Sequence, residues 1–249
     1  MTRFVPLSLP AGGGAADHAD LPTAPTLRAG LSLARAGSMA LSRRAAHPDH
    51  GRYLAGRGIA PGAACALHQV HSRRVVFLDE HTDVAALPGL EADGMLTLRP
   101  DLVLTVTVAD CLPIILEDPA TGGLALLHSG WRGTGIVLEA LRLMDEKLGT
   151  RFSDVRATIG PGIGPCCYRV PEDRAALFAS AYGADAVVRD GEPRLDLRRA
   201  NVQLLERAGV GEVTVVTDCT SCAPALGSFR RQGAESYTLM LAWVGRARP

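Results

Sequence analysis

Three segments of the chain end an apolar run on a residue able to ligate a metal. They are "QVHS" at His71, "VADC" at Cys111 and "ALLHSGWRG" at His128. Side chains at strand ends are held by a rigid scaffold yet open onto a cleft, which suits a reactive site. One thiolate and two imidazoles make a good zinc set. Three protein ligands leave the fourth tetrahedral position to water or substrate, the arrangement of catalytic zinc. Each residue also has a plainer reading, as a buried structural cysteine or a hydrogen-bonded histidine. "HQVHS" adds a choice, because His68 lies three residues before His71. On a helix the two imidazoles would share a face; on a strand they would point to opposite sides.

The elements that would position these residues follow from hydrophobic patterning. "DLVLTVTVADCLPIIL" (101–116) is β-branched and aliphatic and predicts a buried strand. Pro113, lacking an amide donor, is expected to interrupt its pairing just after Asp110 and Cys111. "LALLH" (124–128) predicts a strand returning beside it after the turn "EDPATGG". "SGWRGTG" is a loop, and apolar residues at 137, 138, 141, 144 and 148 predict a helix that Gly149 stops. "VRATIG" reads as a strand leading into "GPGIGPCC", and "EDRAALFASAYG" as a helix closing at Gly183. Asp196 is an N-cap candidate for a helix ending at Gly209. "EVTVVT" and "YTLMLAWV" are strand candidates. Several strand pairs are joined by turns too short for a parallel crossover, so a mixed sheet is expected in an α/β (α+β) domain.

Composition narrows the function class. With 249 residues, 47% hydrophobic and 21% charged, the chain can bury a large single core. Lys+Arg and Asp+Glu balance at 26 each, so no net field favours nucleic acid or a membrane surface. No apolar run is long enough for a membrane span, and the Ala/Gly/Pro-rich start lacks the apolar region of an export signal. Residues 1–25 are expected to form a loosely ordered arm before one domain over 26–249. Six cysteines in such a chain are expected as reduced thiols in the cytoplasm. "CTSC" (219–222) has the spacing of a redox pair or half a zinc site, but with no second such pair it reads as structural. The vicinal Cys166 and Cys167 read as packed near the cleft. "GPGIGP" is only superficially a phosphate loop, since its two prolines remove amide donors.

The blocks "LHQVHS", "EADGMLT", "VTVADCLPIIL", "LLHSGWRGTGI", "IGPGIGPCCYRV" and "DLRRANVQLLERAGV" occur in this order. Together they resemble the YfiH, or laccase-domain, family over roughly residues 26 to 244. The resemblance implies metal ligands at His71, Cys111 and His128, and leaves His68 as a packed or supporting residue. It further implies a layered α-β-β-α sandwich with mixed sheets, usually monomeric. Family activities are phosphorolysis of adenosine, inosine, guanosine and methylthioadenosine, with adenosine deamination as a second reaction. Those proteins were long labelled multicopper polyphenol oxidases. Arg28 in "TLRAGLS", Arg132 in "GWRG" and Arg230 in "SFRRQG" become candidates for phosphate or substrate, since guanidinium meets phosphate in a bidentate way. Asp110 is a candidate for orienting a ligand or for acid/base work. Three positions depart from the family's pattern: Ala40 replaces an Asn, Arg169 a Glu, and Tyr237 an Arg.

The expectation is therefore a zinc-dependent purine nucleoside phosphorylase and deaminase, taking nucleosides and phosphate. Three alternatives stand beside it. A copper oxidase would use the same His/His/Cys set, although the chain has no His-x-His pair for a trinuclear centre. A metal-dependent amidase on cell-wall precursors, or a metal-binding relative without catalysis, would also be compatible.

Overall fold

A computed structural model describes residues 1–8, 16–41 and 47–247. The first half contains strands β1 (Thr2–Val5), β2 (His18–Asp20) and β3 (Leu27–Ser32), then helix α1 (Pro48–Gly56). Strands β4 (Ala64–Cys65), β5 (Val75–Leu78), β6 (Gly94–Thr97) and β7 (Val103–Val108) follow. Next come β8 (Leu112–Asp118), β9 (Gly123–Ser129), α2 (Ile136–Leu148), β10 (Arg156–Ile159) and α3 (Glu172–Tyr182). A small ribbon of β11 (Val187–Val188) and β12 (Arg194–Leu195) precedes α4 (Leu197–Ala208). The chain closes with β13 (Glu212–Val216), the short α5 (Phe229–Gln232) and β14 (Met240–Arg246).

Two mixed sheets stack face to face. The larger has seven strands in the order β1-β13-β10-β8-β9-β6-β5, and the smaller has five in the order β2-β3-β14-β7-β4. Strand alternation sorts the core into layers. Ile115, Leu124 and Leu126 point between the sheets, where they meet Leu104, Val106 and Val244. Their neighbours Ile114, Leu116, Ala125 and Leu127 point to the other face, against α2, α3 and α4. On the far side Leu241 and Trp243 of β14 pack on Tyr53 and Leu54 of α1. The result is the α-β-β-α sandwich. Among the described residues no helix is long and apolar enough to cross a membrane.

The helix ends fall where the caps were expected. The Asp196 side chain accepts the amide of Arg199, and Gly149 and Gly209 adopt left-handed backbone that side chains disfavour. Two expectations are corrected. The run 101–116 is two strands in different sheets, and the break falls at 109–111, where Asp110 has φ 85°. Pro113 lies inside β8, opposite His128, and its carbonyl accepts the Gly160 amide at 2.8 Å. The loss of one donor is tolerated because Pro113 sits near the strand's start. Residues 1–25 also differ from a loose arm. β1 pairs in parallel with β13 through the β-branched Val213–Val216 edge, and β2 pairs with β3. Residues 9–15 of that segment lie outside the described residues.

Gly160 is where β10 approaches Pro113 most closely. A Cβ there would lie 2.7 Å from Pro113 Cγ and 3.2 Å from its carbonyl oxygen, and a proline ring cannot swing aside. Gly160→Ala is expected to cost ~1–3 kcal/mol, as overpacking does. Urea unfolding checks it, and an unchanged midpoint would contradict the contact.

Candidate metal centre

One end of the seven-stranded sheet gathers the chemistry. Gly94 of β6 pairs with Leu127, and Leu112 and Pro113 of β8 pair with Ser129 and His128 at the end of β9. Cys111, Asp93 and His128 are thus placed side by side by strand register, and His71 joins them from the loop before β5. Ligand atoms of His71, Cys111 and His128 all lie within 4.8 Å of one another. The two imidazoles meet edge to face, with centroids 4.8 Å apart. Gly130 supplies the room, since a Cβ there would sit 2.7 Å from Cys111 Sγ and 3.3 Å from His71 Cδ2.

A buried carboxylate organises this corner. Asp93 is 0% exposed, and its Oδ1 meets His128 Nδ1 at 2.8 Å. That contact fixes the ring and leaves Nε2 for a ligand role, the carboxylate–histidine–metal arrangement. The same carboxylate accepts the amides of Val70 (3.2 Å), His71 (3.0 Å) and Ser72 (2.6 Å), together with Ser72 Oγ (2.7 Å). Three successive amides can converge on one anion because His71 adopts φ 59°. His71 and Asp110 are the two non-glycine residues with positive φ among the described residues, and both lie here. Such strained backbone persists only where its surroundings hold it.

The electrostatics follow. Burial would raise the Asp93 carboxyl, but His128 and the Ser72 hydroxyl and amide pull it down to about 2. Burial would likewise raise the Cys111 thiol, yet the charges and hydrogen bonds of His128 and His71 bring it below the ordinary thiol range. His128 moves the other way, up against its burial, because Cys111 and Asp93 favour its imidazolium. Both shifts run toward a thiolate beside an imidazolium, because each group favours the charged form of the other. The donor set fits zinc: a soft thiolate, two imidazoles and a hydrogen-bonded partner behind one of them. Binding a cation would displace the His128 proton.

Several other expected residues also reach this site. A cavity of about 600 Å³ opens over the triad, lined by His68, Asp110, Arg132 and Arg230 among others. His68 is bound through its backbone, its amide donating to Leu90 and its carbonyl accepting from Ala92. The Asp110 carboxylate is already engaged, accepting Thr220 Oγ1 at 2.6 Å and the Arg230 amide at 2.7 Å. Asp110 thereby ties the Cys111 turn to the loops that follow β13. Arg132 lies over Trp131 and Arg230 over Tyr168, with guanidinium carbons 5.3 and 5.5 Å from the ring centres. Tyr237 lines the cavity, edge-on to Phe229 at 5.1 Å. Arg169 instead points outward to Glu192 at 3.2 Å.

Arg28 is the exception. It sits on β3 opposite Gly245, five residues along β14 from Met240 at the site's end, roughly 17 Å away at strand rise. There its guanidinium stacks on Trp243 and donates to the Arg57 carbonyl at 3.1 Å. The cavity contains another arginine that patterning missed. Arg174, in the first turn of α3, lies 4.5 Å over the Trp131 ring. Nothing local marks it in the sequence, where it reads as a solvent-facing helix residue. Gln69 was also missed; its side-chain amide brackets the Thr107 backbone at 2.8 and 2.9 Å, anchoring the histidine loop to β7.

Comparison with known proteins fits this geometry. The family model described as multi-copper polyphenol oxidoreductase laccase matches residues 44–246. The chain belongs to this family. It is 35% identical over 225 residues to a purine nucleoside phosphorylase of Deinococcus radiodurans, covering 87% of this chain and 86% of that one. A purine nucleoside phosphorylase of Mycobacterium bovis is 31% identical over 199 residues, 79% and 78% of the two chains. Among solved structures, YlmD from Geobacillus stearothermophilus superposes with a TM-score of 0.84 at 27% identity, covering 94% of this chain and 97% of that chain. The Bacillus licheniformis hypothetical protein YfiH gives 0.83 at 27%, covering 94% and 98%.

Two expected outcomes test the corner. His71→Ala should lose the metal, whereas His68→Ala should keep it with at most a ~10–100-fold effect on affinity or activity; metal content of both folded variants decides. The reverse pattern would overturn the ligand assignment. The second concerns acid. A carboxyl held at about 2 in the fold and about 3.9 when unfolded stabilises fully above the unfolded value, and the gain disappears as pH falls toward the folded one. Urea unfolding of metal-free protein from neutral pH downward should show this loss, and Asp93→Asn should flatten it. An equally steep acid limb in the variant would contradict the assignment.

Proposed function

We propose that this protein is a zinc-dependent purine nucleoside phosphorylase. The observation that carries the reading is one cavity combining a three-ligand metal corner, aromatic faces and three arginines. Relatives named purine nucleoside phosphorylase support the choice of reaction.

The lining residues suit the chemistry. Trp131, Tyr168, Phe229 and Tyr237 offer flat faces for a purine and its ribose. Arg132, Arg174 and Arg230 bring cationic forks to the same space, matching a phosphate dianion and a second group that becomes anionic. In phosphorolysis a phosphate oxygen bonds to C1′ as the C1′–N9 bond breaks. The bonding electrons leave with the purine, which takes up a proton, while the hydrogenphosphate loses one as it becomes the ribose phosphate ester. Arginines stacked on rings are pre-placed to hold phosphate at that carbon, and positioning of this kind is a large part of catalysis. His71, Cys111 and His128 would hold the zinc, which when bound supplies Lewis-acid activation at the cavity's inner corner. Asp93 keeps the His128 ring oriented for that role. The same corner accounts for adenosine deamination as a companion reaction. The substrates expected are adenosine, inosine, guanosine and methylthioadenosine, and the protein is expected to act as a monomer in the cytoplasm.

Copper is the competing metal, because the same three ligands also describe a mononuclear copper site. Elemental analysis of protein purified without added metal distinguishes the two readings.

The reaction is tested by following free base and ribose 1-phosphate from a nucleoside panel with and without phosphate. Base release should require phosphate, and Arg174→Ala or Arg230→Ala should raise the KM for phosphate. A lost hydrogen bond to a charged group is worth about 1.5–3 kcal/mol, roughly 10–100-fold. Release unchanged in phosphate-free buffer would indicate a hydrolase. Adenosine converted to inosine alone would leave deamination as the sole activity.

A further inference from the structure

A second cluster of metal-competent side chains lies on two loops, one of which also carries cavity-lining residues. Cys166 and Cys167 come from the loop after β10, and Cys219 and Cys222 from the loop after β13. "CTSC" is half a tetrathiolate site by its spacing, and the fold supplies the other half from the vicinal pair. All four Sγ atoms lie within 4.8 Å of one another. Cys222 Sγ is 3.4 Å from Cys167 Sγ and 3.6 Å from Cys166 Sγ. Zinc–sulfur bonds of about 2.3 Å in a tetrahedron place sulfurs about 3.8 Å apart, whereas a disulfide needs about 2.05 Å. Two of the separations lie close to that tetrahedral value, and all four cysteines are free thiols.

Donors and a buried cation adjoin the cluster. Cys219 is buried, and its Sγ accepts the Gly164 amide at 3.2 Å. Buried Arg198 adjoins the cluster, since a Cβ on Gly164 would sit 3.3 Å from Arg198 Nη1 and 3.2 Å from Cys166 Sγ. Four crowded thiols cannot ionise together unless a cation neutralises them.

We infer that Cys166, Cys167, Cys219 and Cys222 form a second, structural site for zinc or a similar thiophilic divalent cation, clamping the loop after β10 to the loop after β13. The clamp connects to the cavity through both loops. The first loop carries Ile163 and Tyr168 into the lining, and the second carries Thr220, which holds Asp110. This inference is independent of the reaction proposed above.

Metal content and coordination test it on the full chain, purified under reducing conditions without added metal. Wild type should carry about two zinc ions per chain, and Cys222→Ser or Cys166→Ser about one. Cys111→Ser should retain one zinc with four sulfur neighbours at about 2.3 Å by X-ray absorption, a readout that needs no variant of the cluster itself. A Cys111→Ser protein free of metal would overturn the inference, as would a Cys222→Ser protein with wild-type zinc. Mass spectrometry showing these cysteines disulfide-bonded in the reduced preparation would also overturn it. Failure of the metal centre at Cys111 alone would appear instead as wild type carrying one zinc that Cys111→Ser leaves in place.

Discussion

The site depends on a single buried anion. Asp93 has no exposed surface, and a carboxylate in such a place is tolerated only when its lone pairs are met by strong donors. Three consecutive amides, one hydroxyl and one imidazole meet them. That requirement fixes the path of the 70–72 loop and forces His71 into left-handed backbone. It also sets the orientation of His128. Two of the three candidate ligands are therefore positioned by the same carboxylate, which stands immediately before β6 and so moves with the sheet.

The third ligand has a comparable anchor. Asp110, the other non-glycine residue with positive φ among those described, turns the chain from one sheet into the other and leaves Cys111 just before β8. Its carboxylate accepts from Thr220 and Arg230, and its carbonyl accepts the Ile163 amide at 2.8 Å. Arg231 binds carbonyls of the same loop, including Ser221 at 3.1 Å and Ala223 at 3.0 Å. In "SFRRQG" the first arginine thus faces the cavity while the second sews the wall behind it. Strain at Asp110 is offset by these contacts, and the metal corner inherits its precision from them.

Local patterning made much of the fold legible. α2, α3 and α4 were readable because amphipathic spacing and Gly or Asp caps act within a few residues. β8, β9, β13 and β14 were readable because β-branched and aliphatic runs have few alternatives. The sheet change at Asp110 was not, since nothing in "TVADCLP" signals that a carboxylate will find Thr220 more than a hundred residues later. β1 and β2 were obscured by Ala, Gly and Pro around them, and they form because β13 and β3 offer edges. For the site, the three strand-end ligands stood out by residue type, but choosing His71 over His68 needed the family resemblance. Asp93 was hidden inside "EADGMLT", where burial alone reveals its role. Arg28 was misplaced because the motif "TLRAGLS" says nothing about register, and the register carries it to the far end of β14. The thiol cluster was legible only as two separate halves, "CTSC" and the vicinal Cys166 and Cys167, because only the parallel pairing of β10 and β13 brings their loops together.

Asp93 builds the candidate metal corner by holding the 70–72 amides and the His128 ring at once. Asp93→Asn keeps the size of the side chain and removes its charge. The direct measurement is zinc affinity of this variant by competition with a chelator, alongside hydrogen exchange of the Val70, His71 and Ser72 amides. Affinity should be ~10–100-fold weaker and exchange faster at those three amides, in a protein that remains folded. Wild-type affinity with unchanged protection at all three would contradict it.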